Sequence, residues 1–172
     1  MKKVKLSEYF KIKSAIQDDK INFELADKND KNAIPFLGRS STNNGIVDYV
    51  KFRKGYVNDG GQITVALDGS TGSTFYQHHP FSSGQNIWIL DPIKEKIEYV
   101  NPKIAIYLIT TIRKAVADYS YNLGLTKTRL ENNINVILPL LDNDKLDIKF
   151  IESEINKLRN TNLIDNINTK RL

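Results

Sequence analysis

Apolar residues recur along this chain with two spacings, one typical of strands and one typical of helices. Strand spacing is found in residues 45–52, 62–67, 86–90 and 134–140. Between residues 62 and 67, apolar side chains alternate with Thr64 and Ala66, which is the period of two expected of a sheet. The segment 86–90 carries a continuous apolar run, which predicts a strand that is buried on both faces.

Three further segments are short or interrupted. Residues 6–13 predict a short helical turn that runs into a strand, and residues 17–33 are polar and predict a loop or an irregular hairpin. Pro35 lies in the next apolar segment, and because proline cannot donate a backbone hydrogen bond, this segment is predicted to be an edge strand. Asn44-Gly45 predicts a tight turn, since both residues tolerate positive φ.

Two segments are predicted to be helices. Asn101 and Pro102 suit an N-cap and a first helical position, and the Ile-, Leu- and Ala-rich residues 103–118 predict a helix that packs across the sheet. Asp147 caps a second predicted helix, whose apolar stripe consists of Ile148, Ile151, Ile155 and Leu158. This stripe fits a coiled-coil seam and also a helix packed on its own domain, and the sequence leaves both interpretations open.

The order of the predicted elements is mixed and lacks the regular βαβ alternation of a doubly wound fold. We therefore predict an α+β fold. A single domain over residues 1–146 would contain a twisted mixed β-sheet with packed helices, and residues 147–172 would form a C-terminal helix and tail. The length of 172 residues suits one domain.

Composition excludes several functional classes. Cysteine is absent, which excludes disulfides, thiolate nucleophiles and cysteine-built metal sites. No apolar run is long enough to span a membrane, and the N-terminus lacks the apolar core of a signal peptide, so we expect a cytoplasmic location and no membrane partner. The net charge of +5 permits nucleic-acid binding without requiring it.

Motifs for catalysis are largely missing. Gly69-Ser-Thr-Gly72 is glycine-rich, but no Gly-Lys-Ser/Thr follows it. His78 and His79 would point to opposite faces of a strand, although a loop could bring them together on a metal. We therefore predict no catalytic residue, no metal site and no cofactor. A small metal-dependent nuclease or hydrolase is the alternative.

The stretch from Gly69 to Leu90 contains no charged residue, although 26% of the chain is charged. Its residues 69–85 combine hydroxyls and amides with aromatic side chains, a mixture suited to DNA base edges. The residues predicted to contact DNA here are Ser70, Thr71, Ser73, Tyr76, Gln77 and His78. The alternatives are a glycine-rich hairpin turn followed by a structural loop, and a surface that binds a protein or peptide.

Two other segments are predicted to contact DNA. The first combines an arginine with amides and hydroxyls and comprises Arg39, Ser40, Ser41, Asn43 and Asn44. The second is Lys127 and Arg129, predicted to lie in a loop before a strand and to contact phosphates. Lys51, Arg53 and Lys54 form another candidate phosphate-binding cluster. The alternative for the first segment is a simple hairpin turn. The alternative for Lys127 and Arg129 is solvated surface charge.

The order of the motifs resembles that of a known family. The motifs are Leu6-Ser-Glu-Tyr-Phe-Lys-Ile, Ile34-Pro-Phe-Leu-Gly-Arg-Ser-Ser-Thr-Asn-Asn-Gly-Ile, Gly61-Gln-Ile-Thr-Val-Ala, Gly69-Ser-Thr-Gly-Ser-Thr-Phe-Tyr-Gln, Pro80-Phe, the helix after Asn101-Pro102, Lys127-Thr-Arg-Leu, Ile137-Leu-Pro139 and Asp147-Ile-Lys-Phe-Ile-Glu-Ser. Together they cover nearly the whole chain. The chain resembles the target-recognition domains of restriction–modification specificity subunits, of the Type I and especially the BcgI-like Type IIB kind.

The resemblance implies a role and partners. Such domains recognise half of a bipartite double-stranded DNA target, bind a methyltransferase (modification) subunit and carry no catalytic residue; restriction subunits are further expected partners. Residues from 147 onward resemble the start of a helical spacer. Since a full specificity subunit has two recognition domains, the resemblance leaves open a half-size subunit that forms a homodimer and a piece of a longer protein.

Overall fold

The computed structural model describes residues 1–119, 123–161 and 164. Within them lie nine strands and three α-helices. The strands are β1 (Lys2–Lys5), β2 (Phe10–Ser14), β3 (Ile34–Leu37), β4 (Ile46–Val50), β5 (Gln62–Ala66), β6 (Thr74–Gln77), β7 (Ser82–Ser83), β8 (Ile87–Pro92) and β9 (Asn135–Leu138), and the helices are α1 (Pro102–Val116), α2 (Lys127–Asn132) and α3 (Ile148–Asn156). This mixture confirms the predicted α+β class.

The central sheet has the strand order β2-β8-β5-β6, and all its pairs are antiparallel. Ile63 and Leu90 lie opposite each other in this sheet and belong to the main hydrophobic core. Ala66 and Ile89 are buried in a second cluster. The two inner strands, β5 and β8, are therefore buried on both faces, as predicted for β8.

The second sheet has the order β4-β3-β7, so β3 is its central strand and not the predicted edge strand. Pro35 did not confine β3 to the edge, because the third strand of the sheet, β7, is only two residues long. β7 pairs in parallel with Phe36 and Leu37, whereas Pro35 pairs only with Tyr49 of β4. On the side of Pro35 that faces away from β4 no strand is paired, so no backbone N–H is needed there.

Helix α1 packs across the central sheet, as predicted. The Asn101 side chain accepts a hydrogen bond from the backbone N–H of Ile104 at 2.9 Å, which caps the helix. Leu108 and Ile112 are fully buried in the main core. A 3-10 turn over Ala117–Tyr119 continues α1.

Helix α3 packs on the core of its own domain. Asp147 caps it through the backbone N–H of Phe150 at 3.0 Å, and Ile151 and Ile155 are buried in the main core. Leu158 lies beyond the helix and is 55% exposed. The domain boundary at residue 147 and the spacer stay predictions, and residues 162, 163 and 165–172 of the predicted tail lie outside the described residues.

Two elements occur where loops were predicted. Strand β6 lies within residues 69–85, and helix α2 contains Lys127 and Arg129. Both elements are short, and neither has a clear periodic pattern. The Thr126 hydroxyl caps α2 by accepting from Arg129 N at 3.2 Å, and Leu130 is buried beneath it, so a cap and one buried side chain anchor the helix.

Candidate nucleic-acid interface

Three turns rich in uncharged polar residues meet at one end of the central sheet. They comprise residues 38–45 between β3 and β4, residues 67–73 between β5 and β6, and residues 84–86 before β8; we call this set the polar edge. The backbone N–H of Leu67 donates to the carbonyl of Asn86 at 3.0 Å, and that of Ser70 donates to the carbonyl of Arg39 at 3.3 Å. The fold thus joins two segments that the sequence predicted separately.

Arg39 is held at the centre of the polar edge. Its Nη1 donates to Oδ2 of Asp68 at 2.8 Å, while 46% of its side chain stays exposed. Gly69 has a φ of 63° and comes so close that a Cβ there would lie 2.9 Å from the Cβ of Arg39. The guanidinium is therefore accessible and has a defined position.

The remaining predicted residues of these turns differ in their exposure. Ser41 and Asn43 are exposed, and Ser40, Ser70, Thr71 and Ser73 are half-buried. The Asn43 amide donates to the carbonyl of Ile46 at 2.9 Å. The hydroxyls and Arg39 thus belong to turns whose side chains are mostly uncharged.

Asn44 and Gln77 connect the two sheets. Asn44 Nδ2 donates to the carbonyl of Tyr76 at 3.0 Å and to Oε1 of Gln77 at 3.1 Å. Gln77 Nε2 donates to the carbonyl of Asn44 and to Thr64 Oγ1, both at 3.1 Å. Because Gln77 is only 3% exposed, its position favours support of the turn, and the direct DNA contact predicted for it stays a prediction.

Tyr76 and His78 line a groove beside the polar edge. The groove has a volume of about 370 Å³, and its other walls include Asn44 and the α1 residues Ile106 and Ile109. Burial raises the pKa of the Tyr76 hydroxyl, because it disfavours the charged form. The His78 ring lies 6.1 Å from the Tyr76 ring, so these two predicted residues face a partly apolar groove beside the hydroxyl-rich turns.

The model of one protein family matches nearly the whole chain. It describes the Type I restriction modification DNA specificity domain and covers residues 1–169. The chain belongs to this family. The resemblance drawn from the motifs is thereby confirmed.

Individual proteins of known sequence or structure agree. The chain is 24% identical over 128 residues to the "Type II restriction enzyme BgcI specificity subunit S.BcgI" of Heyndrickxia coagulans. The aligned region covers 74% of this chain and 36% of that protein. It shares the fold of the HsdS subunit from Thermoanaerobacter tengcongensis, with a TM-score of 0.58, 14% identity and coverage of 96% of this chain and 42% of that one.

The S subunit of the Type-I restriction-modification system from M. genitalium has the same fold, with a TM-score of 0.60, 16% identity and coverage of 96% of this chain and 39% of that one. At these identities the structural likeness shows the fold alone. The coverages also show that this specificity domain spans less than half the length of each of these three proteins.

The two basic residues predicted to contact phosphates lie on helix α2 of this specificity domain. Lys127 Nζ lies 5.9 Å from the centre of the Trp88 ring and 3.4 Å from Oε1 of Glu131. Trp88 follows the turn at Asn86 by two residues. Arg129 Nη1 donates to the carbonyl of Gly124 at 2.6 Å. Both residues lie on helix α2 and not in the predicted loop, and Lys127 is close to Trp88 of β8.

Arg53 approaches the same region from another side. Its guanidinium carbon lies 3.8 Å from the centre of the Tyr56 ring, and its Nη1 donates to Asp18 at 2.6 Å. Hydrogen bonds from Asn22 and Arg53 lower the pKa of the Asp18 carboxyl. Asp18 lines a cleft with Asn86, so Arg53 fixes the loop beside the polar edge, with its charge already paired.

The polar edge and its cleft include residues that were not among the predicted DNA contacts, such as Gln17, Asp68 and Asn86. The sequence placed Asn86 in a buried strand, but it is exposed with a φ of 61°, and β8 begins at Ile87. Gly84-Gln85-Asn86 before an apolar run is a turn signal that could have located it. Asp68 and Gln17 carry no such signal, because their roles depend on partners distant in sequence.

Within the described part of the chain, no group of three or more His, Asp or Glu side chains could hold a metal ion. His78 and His79 have ring centres 4.6 Å apart, but they form no group of three potential ligands with an acidic side chain among the described residues. None of the helices among the described residues is long and apolar enough to cross a membrane.

Proposed function

We propose that this specificity domain recognises a defined sequence in double-stranded DNA for a restriction–modification system and has no catalytic activity of its own. The observation that carries the proposal is the polar edge, where an accessible arginine lies among amides and hydroxyls from three turns. These groups suit the donors and acceptors of base edges. Lys127 and Arg129 on helix α2 would supply the phosphate contacts.

The geometry suggests a division of labour among the predicted residues. Those suited to base contacts are Arg39, Ser40, Ser41, Asn43, Ser70, Thr71 and Ser73. Lys127 and Arg129 suit phosphate contacts, and Asn44 and Gln77 hold the turns in place. Contacts by Tyr76 and His78 would require DNA to reach the groove beside α1, and they stay predictions.

The proposed partners follow from the family. A relative is called a specificity subunit, and one structure of similar fold concerns complex assembly of the type I R-M system. We propose that this domain binds a methyltransferase (modification) subunit and, in the assembled system, a restriction subunit. Since such a role requires access to DNA and cysteine is absent, we also propose a cytoplasmic location.

A second recognition domain would complete a bipartite site. Either a homodimer of this chain or a longer polypeptide could supply it, because the chain spans less than half of its relatives. Light scattering on the purified chain, alone and with a methyltransferase subunit, measures which arrangement forms. A symmetric, gapped methylation site would support the homodimer, and an asymmetric site would contradict it.

The direct test is selection from a pool of randomised duplexes by the purified chain. We expect enrichment of one motif, and we expect methylation mapping in cells that express the chain with its methyltransferase to show the same motif. Enrichment of no motif, with equal affinity for all duplexes, would contradict sequence recognition. Plasmid incubated with the pure chain and Mg²⁺ should stay intact; cleavage lost on His78→Ala would contradict the absence of catalysis.

A further inference from the structure

One carboxylate oxygen at the polar edge holds two accessible side chains. Oδ2 of Asp68 accepts hydrogen bonds from Nη1 of Arg39 and from Nδ2 of Asn86, both at 2.8 Å. The three residues come from three different turns of the polar edge. Their convergence is therefore a product of the tertiary structure.

Stability alone does not explain this carboxylate. Oδ1 of Asp68 is buried and, in the described part of the chain, has no hydrogen-bond partner. A buried acceptor without a donor costs stability, and a half-exposed ion pair such as Arg39–Asp68 returns little. A carboxylate kept at a cost, between two accessible polar groups, points to a role in recognition.

Both side chains keep free hydrogen-bonding groups. The bond to Asp68 engages one of the five N–H groups of Arg39, so its planar fork can still donate two parallel bonds to O6 and N7 of a guanine. Asn86 keeps Oδ1 and one amide N–H, the pair that matches N6 and N7 of an adenine. Each residue thus has the groups for contact with a different base.

The two groups are close enough together to meet two stacked bases. Because both nitrogens lie 2.8 Å from the same oxygen, they are at most twice that distance apart, while successive base pairs are about 3.4 Å apart. Backbone contacts fix both turns: Asn86 N–H donates to Gln17 Oε1 at 3.1 Å, and its carbonyl accepts from Leu67. Such a preformed pair needs little ordering when DNA binds.

We propose that Asp68 is a positioning residue that presents Arg39 to a guanine and Asn86 to an adenine at the next base-pair step in the major groove. The inference rests on the proposed function and names two bases of the recognised sequence. The competing explanation is that Arg39 contacts a phosphate. Asp68 would then only lower the local positive charge.

The test uses the full chain and a pool of short randomised duplexes, with base preference measured at every position of the selected motif. Arg39→Ala should lower the preference for guanine at one position by about tenfold to 100-fold, the usual size of a bidentate contact. Asn86→Ala should lower the preference for adenine at the neighbouring position alone. Asp68→Ala should lower both preferences while the rest of the motif is retained.

The Asp68 variant separates the two explanations by the sign of its effect. If Arg39 contacts a phosphate, removal of the negative charge should tighten binding to all duplexes and leave every base preference unchanged, which would overturn the proposal. Thermal unfolding monitors folding of each variant. Should Asp68→Ala fail to fold, the single variants of the exposed Arg39 and Asn86 decide the question.

Asn156→Ala and Arg159→Ala are matched controls of the same residue types. Asn156 is exposed at the end of α3, and Arg159 is exposed beyond it. Both should leave the motif unchanged. If the wild-type chain selects a motif and neither Arg39→Ala nor Asn86→Ala alters it, the inference fails and the proposed function stands. If the wild-type chain selects no motif, both fail.

Discussion

At the scale of single residues, asparagine has a double use in this domain. Asn43, Asn44 and Asn86 have φ values of 48°, 53° and 61°, a region that most side chains avoid and asparagine tolerates. Glycine would adopt the same backbone without a side chain. Each of these asparagines instead donates a side-chain hydrogen bond, to Ile46, Tyr76 or Asp68, so the turn residues also build the polar edge.

Gly69→Ala should disturb the position of Arg39. The positive φ of 63° would cost about 1–2 kcal/mol of unfolding free energy for any side chain, and the new Cβ would meet Arg39. Gly55→Ala is the matched control, since its φ is 83° and no atom lies within 4 Å of its ideal Cβ. Denaturant unfolding should show a larger loss for Gly69→Ala; equal losses would contradict the close contact.

Gln77→Ala tests whether this residue supports the polar edge or contacts DNA. Since Gln77 is buried and its amide bonds Asn44 and Thr64, the substitution should lower the free energy of unfolding by about 1–3 kcal/mol. It should weaken binding to all duplexes alike. A changed preference at one base position would instead show the direct contact predicted from the sequence.

At the scale of elements, side chains protect the outer edge of β6. Arg113 donates from Nε and Nη2 to the carbonyl of Thr74 at 3.0 and 2.6 Å, and Asn44 donates to the carbonyl of Tyr76. Unpaired edge carbonyls would otherwise be free to pair with another chain. Contacts from α1 and from the turn at residues 38–45 thus fix a strand that is only four residues long.

Leu108→Ala tests how α1 packs on the sheet. Leu108 is fully buried in the main core, so its truncation should lower the free energy of unfolding by about 2–5 kcal/mol. Ile106→Ala is the control on the same helix, because Ile106 is 37% exposed, and it should cost clearly less. Chemical denaturation measures both, and equal costs would contradict the orientation of the helix.

At the scale of the whole molecule, charge is distributed in pairs with little net excess. The chain carries 25 basic and 20 acidic residues, and several of its lysines and arginines, such as Lys2, Lys20 and Arg39, form exposed ion pairs. Such exposed pairs contribute little to stability. The proposed affinity for DNA would therefore depend on which basic groups can exchange their present contact for a phosphate.

Lys127→Gln and Arg129→Gln should each weaken binding to all duplexes to a similar degree. If each side chain contacts one phosphate, the slope of log affinity against log salt should fall in magnitude by about one unit per substitution. Lys157→Gln, which changes a lysine paired with Glu154 after α3, should leave the slope unchanged. An unaltered slope in the α2 variants would contradict phosphate contact.

Stability should fall in acid because carboxyls in different parts of the molecule are held ionised. Hydrogen bonds from Asn22 and Arg53 lower the pKa of Asp18, and Lys2 lowers the pKa of Asp144. A carboxyl whose pKa is lowered in the folded protein stabilises the fold at pH values above its ordinary pKa of 3.8. This stabilisation is lost as the pH falls through the lowered pKa. Asp18→Asn should flatten the unfolding profile below pH 3.8; an unchanged profile would contradict this linkage.

Local features of the fold could be predicted from the sequence alone. The caps at Asn101 and Asp147, the turn at Asn44 and the buried strand before Asp91 were all predictable, because each depends on residues that are neighbours along the chain. The motif order likewise determined the family. Local periodicity failed for β6 and α2, since each is too short to show a repeat, and for β3, whose neighbour β7 pairs only past Pro35.

Only the tertiary structure decided which polar residues act together. Arg39, Asp68 and Asn86 are separated along the chain by 18 or more residues, and no local pattern relates them. Gln77 shows the same limit, because its sequence context gave no sign of the buried amide contacts to Asn44 and Thr64. The physical reason is that hydrogen bonds between turns depend on how the sheets pack, and packing depends on residues far apart in sequence.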